Sequence, residues 1–196
     1  MKRLLITGFD PFGGEALNPS REAVTRLPDV IGPWTLCKRE IPTVFGKAAE
    51  AVLAAAEECH PHAILCVGQA GGRAAVTPEV VAINLREASI PDNEGNRPVN
   101  CPVVEGGPAA YFSTLPVREL VAAAKAADIP AALSYSAGAF VCNDVLYTLL
   151  HHYDGSEVKV GFVHIPYIPE QEKAGAPSLP LSQAVKALER MIRGME

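Results

Sequence analysis

Residues 136–164 read SAGAFVCNDVLYTLLHHYDGSEVKVGFVH, and the order of patterns in and around this stretch sets the fold class. The apolar run at 131–135 has the length of a buried strand. Residues 142–151 then carry apolar side chains at helical spacing, and 158–164 is a second strand-length apolar run. Strand, helix and strand in immediate succession imply a parallel pair joined by a crossover. Working outward, further strands are predicted at 2–7, Trp34–Ile41, 62–68 and 80–85. Helices are predicted from Asn18-Pro19-Ser20, over 45–59, 115–127 and 181–195. Asn18 suits a helix cap and Pro19 the first turn. Residues 90–108, rich in Pro, Asn, Gly and Asp, read as a long loop or loose hairpin, a length that is usually functional. The alternation predicts a single domain over 1–196, a three-layer α/β/α fold with a mostly parallel twisted central sheet.

Composition narrows the function classes. The chain has 196 residues, enough for one domain with a substantial core, and 48% are hydrophobic, so neither staples nor metals are needed. A net charge of −5 argues against a nucleic-acid partner, which selects for a basic face. No apolar run reaches the roughly 18 residues of a membrane span. The opening Met-Lys-Arg-Leu-Leu-Ile-Thr-Gly reaches glycine and Asp10 too soon for a signal peptide, and reads as the first strand. The cysteines, Cys37, Cys59, Cys66, Cys101 and Cys142, are odd in number and scattered, which suits reduced thiols in a reducing compartment. Cys37, Cys59 and Cys66 read as small core hydrophobes.

Cys142 differs from the others because it sits at a predicted helix start. Unpaired backbone N–H groups there favour thiolate, the nucleophilic form. His164 follows 22 residues later (164 − 142) at the end of the next strand, which delivers it to the same sheet edge. In open α/β sheets ligands gather at the carboxyl ends of strands, and Phe9, Gln69, Cys142 and His164 all fall at or just beyond such ends. A cysteine nucleophile needs a base, and the base needs a group to orient it. His60, His62, His151 and His152 read as surface residues, leaving His164. Glu79 opens an otherwise apolar run and so requires a partner; Asp10, Asp92 and Glu94 remain as substitutes for it.

The ordered motifs Thr7-Gly-Phe-Asp-Pro-Phe-Gly-Gly14, Gly68-Gln-Ala-Gly-Gly-Arg73, Pro78-Glu79, Val81-Ala-Ile-Asn84, Ile90-Pro-Asp-Asn-Glu-Gly95, Ser136-Ala-Gly-Ala-Phe-Val-Cys-Asn143 and Val163-His-Ile-Pro166 carry a resemblance over nearly the whole chain. The sequence resembles the pyroglutamyl peptidase I family of cysteine peptidases. The resemblance implies a triad of Glu79, Cys142 and His164, which decides the doubtful glutamate. It implies substrate contacts from Phe9, Phe12, Thr43, Ile90, Phe140 and Val141, with polar contact from Gln69 and nearby backbone. It implies N-terminally pyroglutamylated peptides as partners, no metal or organic cofactor, and a soluble cytoplasmic homo-oligomer, usually a tetramer. The apolar loop at 101–112 is a candidate for part of an interface. Two departures stand out. Ser89 occupies the place where the family typically carries an arginine near the nucleophile, leaving Arg86, Arg73 and the Cys142 amide as possible compensation; Val80 stands where a basic residue often follows the glutamate. Asp144 is expected to face solvent or another polar group. Ser89 motivates an alternative, a non-catalytic or weakly active lactam- or amide-binding protein. A hydrolase of another amide, such as a glutamine-type side chain, is the third reading.

Overall fold

The structure, a computed structural model, describes residues 1–195. Four strands make the parallel heart of the sheet: β1 (Lys2–Phe9), β3 (Trp34–Ile41), β4 (Ala63–Gln69) and β8 (Lys159–Ile165). Two short strands flank them, β2 (Val30–Ile31) and β5 (Thr77–Pro78), both antiparallel, giving the order β2-β3-β1-β4-β8-β5. From Leu4 in β1, along most of β4 and beyond Lys159 in β8, the strands are buried because helices cover both faces, whereas β3 keeps Arg39 and Glu40 exposed. Helices α1 (Pro19–Arg26), α3 (Val117–Lys125) and α5 (Leu181–Arg193) pack over one face, which carries Leu4, Ile6, Leu65, Val67 and Val163. Helices α2 (Lys47–Cys59) and α4 (Val141–His152) pack over the other, which carries Leu5, Ile64, Cys66 and Phe162.

Local sequence explains the main joints. Asn18 caps α1 by accepting from the Ser20 amide and hydroxyl, and its own amide donates to the Asp10 carbonyl. Gly8 lets α1 lie against β1: a Cβ there would sit 2.7 Å from the Ser20 carbonyl oxygen. In α5, Leu181, Ala184, Leu188, Met191 and Ile192 recur at three- and four-residue intervals and are all buried.

Three expectations are corrected. Residues 131–135 form no strand; only single bridges, Val76 with Ala131 and Glu79 with Ser134, tie them to the chain beside β5, because prolines at 78 and 130 interrupt a regular ladder. The run at 80–85 shrinks to β6 (Val81–Ile83), which leaves the main sheet to pair with β7 (Ala110–Phe112). Cys37 and Cys59 are joined in a disulfide, with Cα atoms 6.5 Å apart, rather than being separate reduced core thiols. Cys37 lies mid-strand in β3 and Cys59 ends the helix packed on it, so chain topology brings together two residues that look unrelated in sequence. Among the described residues, no helix is long and apolar enough to cross a membrane.

Candidate active site

The site is built at the carboxyl edge of β4 and β8. Helix α4 opens after Phe140, which offers no side-chain cap, so the amides of its first turn lack intrahelical acceptors. Cys142 is the second residue of that turn and is half-buried. Its Sγ lies over Gly68, where an added Cβ would be only 3.0 Å from the sulfur. Gly68 pairs in register with His164 on the neighbouring strand, about 4.8 Å away as adjacent strands lie, with side chains on one face. The absence of a side chain at 68 therefore leaves room for the Cys142 sulfur beside the strand position paired with His164.

Edge strand β5 delivers the third group. Thr77 and Pro78 pair antiparallel with His164 and Val163, and the next amide, that of Glu79, donates to the Phe162 carbonyl at 2.9 Å. This turns the fully buried Glu79 carboxylate onto His164, with Oε1 2.6 Å from Nδ1. A carboxylate only accepts, so Nδ1 carries the proton and Nε2 keeps its lone pair. Arg73 Nη1 donates to the same Oε1 at 2.8 Å. Glu79 Oε2 is buried without a hydrogen-bond partner among the described residues.

Electrostatics favour a neutral Cys142 thiol and a neutral His164 imidazole beside an ionised Glu79. Burial pulls the His164 pKa down, and the Glu79 bond does not fully offset it. Burial also pushes Glu79 up, but the hydrogen bond and charge of His164, with Ser134 and Arg73, outweigh it and leave the carboxyl below its ordinary value. The Cys142 thiol is pushed up to about 12, first by burial and then by Glu79 and Cys66, against the pull of Arg73 and the backbone amide. The helix-start effect expected to favour thiolate is overruled by desolvation.

Aromatic rings surround this centre. The Phe162 ring lies tilted against His164 at 4.7 Å, and Phe9 lies 6.2 Å from Phe162, both measured between centroids. Phe140 packs against Phe12 at 6.3 Å and edge-on against Phe45 at 5.2 Å. Thr43 is buried, its amide donating to Asp10 Oδ1 at 2.7 Å and its hydroxyl to the Asp10 carbonyl. Ile90 is exposed in the loop that faces these rings; the Asn93 amide of that loop donates to the Thr43 carbonyl at 3.1 Å. Val141 is wholly buried in the core behind Cys142. The Gln69 side chain accepts from Gln171 Nε2 at 2.7 Å.

The pyroglutamyl peptidase family model matches residues 2–195. The chain belongs to the pyroglutamyl peptidase family. It is 50% identical over 196 residues to a pyrrolidone-carboxylate peptidase of Escherichia fergusonii, covering 98% of this chain and 92% of that one. It is 52% identical over 194 residues to one of Bacillus amyloliquefaciens, covering 95% of this chain and 89% of that one. The fold is similar to the crystal structure of Bacillus amyloliquefaciens pyroglutamyl peptidase I, with a TM-score of 0.96, 49% identity and coverage of 100% and 97% of the two chains. A mutant pyrrolidone carboxyl peptidase from Pyrococcus furiosus gives a TM-score of 0.93 at 40% identity, covering 98% and 97%. The chain is thereby assigned to a peptidase class, and its three-layer α/β fold is that of the pyroglutamyl peptidases.

Within this family framework, the remaining polar residues have structural posts. Asp10 holds the Thr43 amide and the Asn93 side chain. Asp92 gathers the amides of Phe45, Glu94 and Asn96, and Glu94 pairs with Lys47. These three substitutes for Glu79 are each engaged away from His164. Of the two places expected for Asp144, solvent or another polar group, the structure gives the second: it is fully buried, accepting from Arg86 Nε at 2.6 Å and from the Gly46 amide at 2.8 Å. Arg86 is thus committed to Asp144, and Arg73 to Glu79, while Ser89 is exposed. His62 accepts from the Arg3 amide, and His151 bonds the Tyr111 hydroxyl at 2.8 Å, both on the surface. Phe45 and Asn143 were missed in the sequence. Phe45 resembled the start of a helix, yet Gly46, at φ 74°, ends the loop after it and frees the ring to meet Phe140. Asn143, wholly buried, clamps α4 to β6 through the Ile83 amide and the Ile83 and Leu85 carbonyls.

Proposed function

We propose that the chain is a cysteine exopeptidase, one catalytic domain, that hydrolyses the bond after an N-terminal pyroglutamyl residue. The observation that carries this reading is the 2.6 Å bond that His164 Nδ1 donates to Glu79 Oε1, with the Cys142 sulfur over Gly68, the residue paired with His164. His164 takes the Cys142 proton as the sulfur attacks the pyroglutamyl carbonyl carbon, since the raised thiol favours transfer during attack over a preformed ion pair. First-turn amides of α4 receive the oxyanion. The imidazolium then gives its proton to the departing amine nitrogen as the C–N bond breaks, leaving a thioester. Water attacks the thioester, passing a proton to His164, and the C–S bond breaks to release pyroglutamate and return the thiol.

A pyroglutamyl ring is a flat neutral lactam with one N–H and one C=O. The slot of Phe9, Phe12, Phe45 and Phe140 with Thr43 suits its faces. Ile90 closes it from the 90–108 loop, while Gln69 and Val141 contribute main-chain polar groups. A slot of this kind excludes a charged amino terminus, whose desolvation nothing there repays. The enzyme acts on such peptides in the cytoplasm as a homotetramer, with the exposed Phe112 of residues 101–112 at an interface. The test is a panel of fluorogenic amides. Turnover of the pyroglutamyl amide, with the prolyl and glutaminyl amides at least 10²-fold slower, supports the reading. Preferred glutaminyl turnover contradicts it, as does binding of pyroglutamate without turnover, the outcome that the exposed Ser89 would favour in a lactam-binding protein.

A further inference from the structure

Arg73 is bound at three points beside the site. Its Nη1 donates to Thr77 Oγ1 at 2.6 Å and to Glu79 Oε1 at 2.8 Å, and its Nη2 donates to the Ser136 carbonyl at 3.0 Å. The guanidinium lines an open hollow of about 400 Å³ with Thr77, Ser134, Tyr135 and Ser136. Its side chain is 29% exposed, whereas that of Glu79 behind it is 0% exposed. Arg73 therefore stands between solvent and a buried carboxylate.

That carboxylate has two requirements. Its orienting role needs the anion, because a protonated acid no longer holds Nδ1–H of His164 as a pure acceptor. Yet a fully buried anion bonded only to a neutral imidazole is poorly compensated. A cation on the same oxygen meets that need. The Ser136 bond adds a second constraint, because residues 136–142 run directly from it to the nucleophile. We propose that Arg73 is a positioning residue, keeping Glu79 ionised and aimed at His164 while fixing the start of the segment that carries Cys142. The inference rests on the Cys142, His164 and Glu79 reading above.

The charged and titratable groups around Arg73 are Glu79, His164 and Cys142, with the Tyr135 phenol on the wall of the same hollow. Burial is the largest influence on the first three, and Arg73 pulls the pKa of each of them down. Removing the guanidinium thus moves the kcat/KM profile to higher pH, whereas a merely structural loss lowers its height in place.

The experiment measures kcat/KM against pH for a pyroglutamyl fluorogenic amide with Arg73→Met, Arg73→Lys, Glu79→Gln and the Arg73→Met, Glu79→Gln double variant. Arg73→Met is expected to lose roughly 10- to 100-fold, the scale of outer hydrogen-bond partners at metal sites, with the profile displaced to higher pH. Arg73→Lys, which retains the charge, keeps the wild-type pH position and loses less than about tenfold. On the Glu79→Gln background, Arg73→Met costs less than about threefold, because coupled residues are not additive. Equal losses on both backgrounds overturn the inference and leave the triad standing. An undisplaced Arg73→Met profile overturns it too. Arg73→Lys, displaced to higher pH, does so even if the uncharged variant does not fold. Full activity of Glu79→Gln removes the triad reading itself and this inference with it.

Discussion

Gly68 shows how much of the chemistry depends on one missing side chain. A Cβ at 68 would stand 2.8 Å from the Phe162 ring, 3.0 Å from the Cys142 sulfur and beside His164, so nucleophile and aromatic wall both depend on the hydrogen at that position. Gly68→Ala is expected to destabilise the fold by about 1–3 kcal/mol, as overpacking does. It is also expected to lower kcat/KM by pushing Sγ off line; thermal unfolding and steady-state kinetics check the pair, and an unchanged kcat/KM contradicts the placement. Cys142 and His164 were legible because strand ends and helix starts follow from hydrophobic patterning. Glu79 was legible only as a carboxylate that needs a partner, one of four candidates, since its position depends on a two-residue antiparallel strand whose register no periodicity reveals. The thiol's upward shift was hidden for a related reason: desolvation is a property of the packed site, and sequence shows only the helix start.

At the level of elements, the helices and four inner strands were readable within a few residues, because alternating apolar runs and caps are local signals. The departures lie where pairing is long-range, at residues 131–135, β6, and the bond joining β3 to α2. The disulfide of Cys37 and Cys59 spans 22 residues and encloses Thr43, Phe45 and all of α2 but its last residue. Closing a loop of that length removes unfolded-state entropy worth about 3 kcal/mol. Thiol titration of the oxidised, denatured chain is expected to find three free thiols, Cys66, Cys101 and Cys142. Reduction or Cys59→Ala is expected to lower unfolding stability by up to about 3 kcal/mol. Five titratable thiols in the chain purified without reductant would contradict the bond.

For the whole molecule, the buried pair links protonation to folding. His164 is held neutral below its ordinary pKa, and Glu79 is held anionic below its own. As pH falls, the unfolded chain binds protons at these groups first, near about 6.5 for histidine and about 4.3 for glutamate. The pair's contribution is therefore complete above about pH 6.5 and is lost progressively on acidification through both windows. The melting temperature is expected to fall from pH ~7 to ~4, with His164→Gln flattening the upper part of the slope; a wild-type melting curve flat across that range contradicts a neutral His164. All of this presumes that one sulfur does the chemistry. The most direct test is kcat/KM for a pyroglutamyl fluorogenic amide with Cys142→Ala, alongside its melting temperature. The account predicts a folded protein with activity reduced at least ~10³-fold, the scale of losing a nucleophile. Activity near wild type in that folded variant would contradict it.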